Sequence, residues 1–232
     1  MSNRSETNEE VATKSLFTPG RTIAWKYIEL STYPWEVLSE ICNIIPEIGN
    51  GLSEDEYERR EGNVWIHRTA DVAQSAYIGN SVIIGERTEI RHGAYIRGNA
   101  LVGSNAVIGN STELKNVILF DGVQVPHYNY VGDSILGYKA HMGAGAITSN
   151  VKNDRSLISV QCGKIRIDTG LKKFGAILGD NVEVGCNSVL NPGSVIGIGT
   201  LVYPLSMVRG FVPSSSIYKR QGEVVIKYQK LI

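Results

Sequence analysis

The sequence predicts an all-β fold: a left-handed parallel β-helix of hexapeptide repeats behind a short N-terminal helical segment. Three observations predict it. Ile66, Val72, Ile78, Ile84, Ile90, Ile96, Val102, Ile108 and Leu114 follow one another at a fixed interval of six. Four residues after each stands a small or β-branched residue: Ala70, Ala76, Val82, Thr88, Ala94, Ala100, Ala106, Thr112 and Ile118. A later block restores the frame with Leu178, Val184, Leu190, Ile196 and Val202, and Val182, Ser188, Ser194, Thr200 and Ser206 at its corner positions. A period of six matches neither the 3.6 of an α-helix nor the turn spacing of hairpins. It matches hexapeptide repeats, in which three hexads close one triangular coil and the aliphatics point into a dry interior. The left-handed winding is the one that hexad repeats are known to form, against the usual right-handed crossover preference.

The elements follow in order. Residues 1–15 are polar without apolar periodicity and predict a disordered tail. Residues 16–63 predict a helical segment and linker. Ser31 or Thr32 offers a cap near Pro34, and Trp35, Leu38, Ile41 and Ile45 recur at helical spacing. The charged stretch GNGLSEDEYERREGN predicts the linker. The β-helix is expected over 64–210, its frame passing through Phe120 and Pro126, shifting at VGDSILG and resuming at Leu136 and Met142. The frame breaks at RSLISVQCGKIRIDTGLKKFG, where alternating Ile165 and Ile167 predict a projecting hairpin near 155–173. Residues 211–232, ending in the strand-like EVVIKY, predict a C-terminal cap.

Lys plus Arg equals Asp plus Glu at 23 each, so no net charge draws the protein to nucleic acid or an anionic membrane. Cys42, Cys162 and Cys186 are too widely separated for metal-ligand spacing, and no metal site is expected. The polar start MSNRSETNEEVATKS lacks the apolar stretch of a secretory signal, and no later run reaches transmembrane length. A cytoplasmic protein with reduced thiols is the expectation.

Arg97 and Lys115 each directly follow a repeat aliphatic and are three hexads apart, so they are expected one above the other on adjacent coils. Stacked cations repel unless an anion lies between them. Two readings follow: a phosphate site, or partnering by Glu113 and solvent. His127 stands in VQVPHYNYVGDSILG, where the repeat loses its aliphatic. An imidazole suits proton removal from an amine or hydroxyl near neutral pH, although a lone histidine is more often structural. His67 and His92 have no comparable context.

The run PHYNYVGDSILG, followed by GAGAITSN, resembles the acetyltransferase half of the bifunctional glucosamine-1-phosphate N-acetyltransferase and N-acetylglucosamine-1-phosphate uridylyltransferase family. It is also similar to archaeal sugar-1-phosphate nucleotidylyltransferase relatives. The resemblance covers about residues 64–210, and YPWEVL resembles the segment joining the two domains of the archaeal enzymes. It implies that His127 is the general base in acetyl transfer from acetyl-CoA to an amino-sugar phosphate. It implies further that Arg97, Lys115, Tyr130 and Lys173 hold the sugar 1-phosphate, and that Ala144, Cys186 and Ile198 contact the coenzyme's pantetheine arm. His141 stands where the family has a sugar-contacting asparagine. The resemblance implies a homotrimer with sites between neighbouring coils, and leaves a separate nucleotidyltransferase as a candidate partner. No Gly-rich LAAGxGTRM-like loop occurs in these residues, so uridylyl transfer is not expected of them. Two alternatives stand beside N-acetyl transfer: a non-catalytic scaffold binding a sugar phosphate or nucleotide sugar, and an O-acyltransferase.

Overall fold

A computed structural model of the chain describes residues 9–227. Its centre is the left-handed parallel β-helix of hexapeptide repeats that the spacing predicts. Each coil contributes one short strand to each of three faces. The first face stacks 64–66, 82–84, 100–102, 117–119, 134–136, Ala176–Leu178, Ser194–Ile196 and Phe211–Val212 in parallel register. The second stacks Asp71–Val72, Glu89–Ile90, Val107–Asn110, Gln124–His127, His141–Met142, Glu183–Val184, Leu201–Val202 and Ser216–Arg220. The third stacks 77–78, 95–96, 113–114, 130–131, Ile147–Thr148, Val189–Leu190 and Met207–Val208.

The six-residue aliphatics fill the interior: Ile84, Ile96, Val102, Ile108 and Leu114 are fully buried. Polar corner residues bond to the next coil. The Thr88 hydroxyl donates to the Gly103 carbonyl at 2.6 Å and accepts from the Ala106 N–H at 3.1 Å. The corner between the third and first faces takes a left-handed backbone in four successive coils. Ser81, Asn99, Asn116 and Asp133 supply it with φ of 56°, 49°, 55° and 48°. Asn and Asp tolerate this region better than other side chains because their short polar groups bond locally. At the first-to-second corner the coils approach so closely that a Cβ on Gly103 would stand 2.6 Å from the backbone of Phe120 and Asp121.

The frame does not pass through Phe120 and Pro126 as expected. Val102 pairs with Leu119, and Ile108 with Val125. One residue is missing from the coil, and the ladder shifts register between Ile96 and Gly98, so that Gly98 pairs with Lys115. Phe120 is thereby carried to the corner, where it lies beneath Phe17 with ring centroids 4.8 Å apart.

The first face is buried on both sides. Its outward residues Ile83, Leu101, Ile118, Ile135, Ile177 and Val195 are as inaccessible as its inward ones. The N-terminal segment covers much of it. The helix Ile41–Gly49 packs across Tyr77–Ile84, Tyr95–Val102 and Glu113–Leu119, and the 3-10 helix Pro34–Ser39 packs on Tyr130–Leu136. Each buried aliphatic here is worth about 2 kcal/mol of transfer free energy. The expected single helix is therefore two, and neither Ser31 nor Thr32 caps by its side chain. Instead the Thr32 N–H, one residue before the Tyr33 cap position, donates to the Glu36 carboxylate at 3.0 Å.

The expected disordered tail is also corrected. Residues 1–8 lie outside the described residues, but Glu9–Val11 and Thr13–Leu16 are helical, with Val11 and Leu16 fully buried. Their anchor is Asp180, whose N–H donates to the Leu16 carbonyl at 3.1 Å and whose carboxylate accepts from the Thr18 N–H at 2.7 Å. Within the supposed linker, Tyr57–Arg60 pairs antiparallel with Val64–His67. Ser159–Cys162 and Ile165–Asp168 form an antiparallel hairpin outside the coil. Ser216–Arg220 continues the second face beyond residue 210 and folds back on Glu223–Ile226; residues 228–232 lie outside the described residues. Among the described residues no helix is long and apolar enough to cross a membrane.

Leu101→Ala should cost about 3 kcal/mol by transfer and cavity terms, whereas Leu30→Ala, on a side chain 85% exposed, should change stability by less than about 0.5 kcal/mol. Urea denaturation of both variants checks the contrast.

Candidate functional site

Two corners of the triangle carry most of the residues singled out by sequence, Ile198 and His141 excepted. His127 ends its strand on the second face and is exposed, with no side-chain hydrogen bond or ion pair among the described residues. Only its backbone is engaged: its N–H donates to the Asn129 side chain at 3.1 Å, and its carbonyl accepts from the Gly145 N–H at 3.0 Å. The next coils continue this edge. The Asn187 N–H donates to the Ala144 carbonyl at 2.8 Å, and the Leu205 N–H to the Cys186 carbonyl at 2.9 Å. His127, Ala144 and Cys186 therefore form one column along the corner between the second and third faces.

Ile198 does not join that column. Its carbonyl accepts from the Ser215 N–H at the first-to-second corner. Two hexads separate Ile198 from Cys186, and two hexads move the chain along two faces of a three-sided coil. Pro204 and Leu205 occupy the column instead.

The other corner, between the third and first faces, holds the cations. The register shift leaves Arg97 bulged out of the ladder, so Arg97 and Lys115 are not stacked as expected. Arg97 reaches the Glu113 carboxylate at 2.8 Å, with both side chains partly exposed. Exposed pairs of this kind add little stability. Lys115 places its ammonium 2.9 Å and 3.0 Å from the two oxygens of Asp133. Asp133, only 4% exposed, also accepts from the side-chain amides of Asn116 at 3.0 Å and Asn150 at 2.5 Å. Three side chains from two segments of the chain thus converge on one carboxylate, and the Asp133 carbonyl takes a third segment through the Gly175 N–H at 2.8 Å.

Tyr130 lies against Gly132, where an added Cβ would meet the ring, and its hydroxyl accepts from Asn150 at 3.2 Å. Burial, and after it the nearby Asp133 carboxylate, pushes the Tyr130 phenol up from its ordinary value, so it stays protonated at neutral pH. Lys173 precedes buried Phe174 and is exposed, with no partner among the described residues. It shares a cavity of about 300 Å³ with Lys115 and Asp133. His141 is apart from both groups. It faces outward on the second face, with Nδ1 2.7 Å from the Glu183 carboxylate on the next coil.

Within one chain, then, the structure joins Lys115, Tyr130 and Lys173 around Asp133, joins His127 to Ala144 and Cys186, and separates these groups by the third face. Asp133 and Asn150 are the residues that sequence reasoning left without a role. Both stood inside the motifs VGDSILG and GAGAITSN, and only their mutual contact reveals their function. Among the described residues no cluster of three or more His, Cys, Asp or Glu is arranged to hold a metal.

Coil and corners together define a hexapeptide-repeat β-helix with a histidine edge and a cationic edge. A family model described as GMPPB C-terminal domain matches residues 88–204, and the chain belongs to that family. It is 29% identical over 190 residues to a bifunctional sugar-1-phosphate nucleotidylyltransferase/acetyltransferase of Sulfurisphaera tokodaii, an alignment covering 80% of this chain and 47% of the relative. It is 31% identical over 120 residues to the bifunctional protein GlmU of Methanococcus aeolicus, covering 52% of this chain and 29% of that one. The chain thus spans half or less of the length of these curated relatives. Among solved structures it is similar to the acetyltransferase domain of PglB from Neisseria gonorrhoeae in complex with acetyl coenzyme A. That match has 18% identity, a TM-score of 0.31, and coverage of 66% of this chain and 53% of the other.

Asp133→Ala should strand the Lys115 ammonium, whose side chain is 25% exposed, at a cost of about 3 kcal/mol. Asp133→Asn, which keeps an acceptor oxygen, should cost less, and thermal or urea denaturation ranks the two.

Proposed function

We propose that the chain is an acetyl-CoA-dependent N-acetyltransferase acting on an amino-sugar 1-phosphate or a nucleotide-linked amino sugar. The observation that carries this reading is His127, an exposed imidazole with no partner among the described residues, at the head of a column continued by Ala144 and Cys186. An imidazole held by its backbone alone keeps a ring nitrogen available for a proton. The acetyltransferase named in the Sulfurisphaera tokodaii relative supports the same class.

In the reaction, the acceptor's amine nitrogen attacks the thioester carbon of acetyl-CoA. The N–C bond forms, His127 takes the amine proton, and the C–S bond breaks to release CoA, whose thiolate recovers that proton. Lys173 holds the phosphate while Tyr130, kept neutral by burial, donates a hydrogen bond to the sugar. The thioester arm lies along the column of Ala144 and Cys186. The third face separates His127 from Lys173 in one chain, which supports a site shared between copies; with the trimer that the family resemblance implies, the histidine corner of one copy meets the cationic corner of the next.

A second reading, a scaffold that binds a sugar phosphate without chemistry, is favoured by one feature. Arg97 and Lys115 are both already paired with carboxylates. Thiol release from acetyl-CoA distinguishes the two, measured with glucosamine 1-phosphate, galactosamine 1-phosphate, a sugar lacking an amine, or no acceptor. Amine-dependent release that falls by about 10²- to 10⁴-fold in His127→Ala is the expected outcome. Binding of sugar phosphate without release supports the scaffold, and release with the amine-free sugar indicates O-acyl transfer.

A further inference from the structure

The cavity that holds Lys173 has a wall that the β-helix does not supply. One side is the cationic corner, with Lys115, Asn116 and Asp133; the facing side is the N-terminal segment, through Leu38, Ser39 and Cys42. That segment is fixed to the corner directly, since the Asn116 side-chain amide donates to the Leu38 carbonyl at 3.0 Å while also donating to Asp133. The residues following Leu38 are therefore held beside the Asp133 cluster and cannot drift from it independently. We propose that Ser39 and Cys42 are specificity-determining residues, forming the wall against which the sugar ring of the acceptor packs. This rests on the acetyltransferase reading above.

Charge and size support the assignment. Lys115 is compensated by Asp133, so the uncompensated cation in this cavity is Lys173. A single free ammonium opposite a small-residue wall suits a compact ligand with an anionic end, such as a hexosamine carrying one phosphate. A volume of about 300 Å³ admits such a ligand and lies at the small end of the usual range for ligand sites. Ser39 and Cys42 are exposed and weakly engaged. The Ser39 hydroxyl reaches Glu40 at 3.4 Å, and the Cys42 thiol reaches the Ser39 carbonyl at 3.9 Å. Neither bond holds its side chain against exchange for a ligand contact. Both side chains are short, so a bulky replacement would occupy the space of the sugar without disturbing the buried side of the segment, where Leu38 and Ile41 face the coil.

The chain provides its own reporters. Cys42 and Cys186 are exposed free thiols, one in this cavity and one on the histidine column, and Cys162 is buried. The experiment is iodoacetamide alkylation of the full chain, with peptide mapping of each thiol, in the presence and absence of glucosamine 1-phosphate and galactosamine 1-phosphate. Binding of each sugar is followed in parallel by calorimetry. The bound amino sugar should slow alkylation of Cys42 severalfold and leave Cys186 unchanged. Cys42→Trp should raise KM for the acceptor about tenfold, with KM for acetyl-CoA held, the signature of lost acceptor binding alone. If an amino sugar binds or turns over while Cys42 reacts at its ligand-free rate, the wall is refuted and the acetyltransferase reading stands. If neither sugar binds nor turns over, both fall together. The alkylation arm uses the unaltered chain, so a Cys42→Trp variant that failed to fold would not remove the test.

Discussion

Every coil of this protein spends its backbone N–H and C=O groups on the coils above and below it, so the register between neighbouring coils governs where each later side chain points. In a sheet of this kind the strands lie about 4.8 Å apart and successive side chains alternate between faces. A slip of one residue would turn an inward aliphatic outward. The chain absorbs one such deletion between Ile96 and Leu119, and it does so at a corner, where Arg97 leaves the ladder and the inward pattern resumes. The consequences are not local. Phe120 is displaced onto the corner under Phe17, and the two cations that would have stacked are sent to different carboxylates.

The second organising fact is that the first face has apolar side chains on both sides. A β-helix needs only its interior face dry. Ile83, Leu101, Ile118, Ile135, Ile177 and Val195 point away from that interior, and all are inaccessible. The N-terminal helices bury much of this surface, and their own apolar residues, among them Trp35, Leu38, Ile41 and Ile45, are ordered by it. The same packing brings Leu38, Ser39 and Cys42 to the cationic corner, so the cover and one wall of the cavity are the same piece of chain. Stability of the first face and shape of the cavity are therefore coupled.

Asp133 connects these two constraints. It sits at a left-handed corner position, where its conformation is tolerated, and its nearly buried carboxylate collects Lys115, Asn116 and Asn150. Burying a carboxylate is costly unless it is paired and its lone pairs are satisfied. Here each oxygen is. The cost of that arrangement is that Lys115 is no longer a free positive charge, which leaves Lys173 as the cavity's available cation.

Repetition made the fold legible. An aliphatic every sixth residue, with small residues at the corners, is a local pattern, and the interior of the coil depends on little else. The runs VII, ALV and VIL carried a signal that the spacing argument passed over, since continuous apolar strands mark burial on both sides. The sequence by itself determined the coil and its inward residues as far as Leu114, because these depend on spacing along the chain, and it misplaced Phe120 and Pro126 where the frame shifts. Only the tertiary structure decided that Val11, Leu16 and Phe17 are ordered and that Asp133 takes the charge of Lys115; the departure of Ile198 from the column of Cys186 was already set by their spacing of two hexads. Both tertiary outcomes depend on contacts between segments distant in sequence, which no local spacing records.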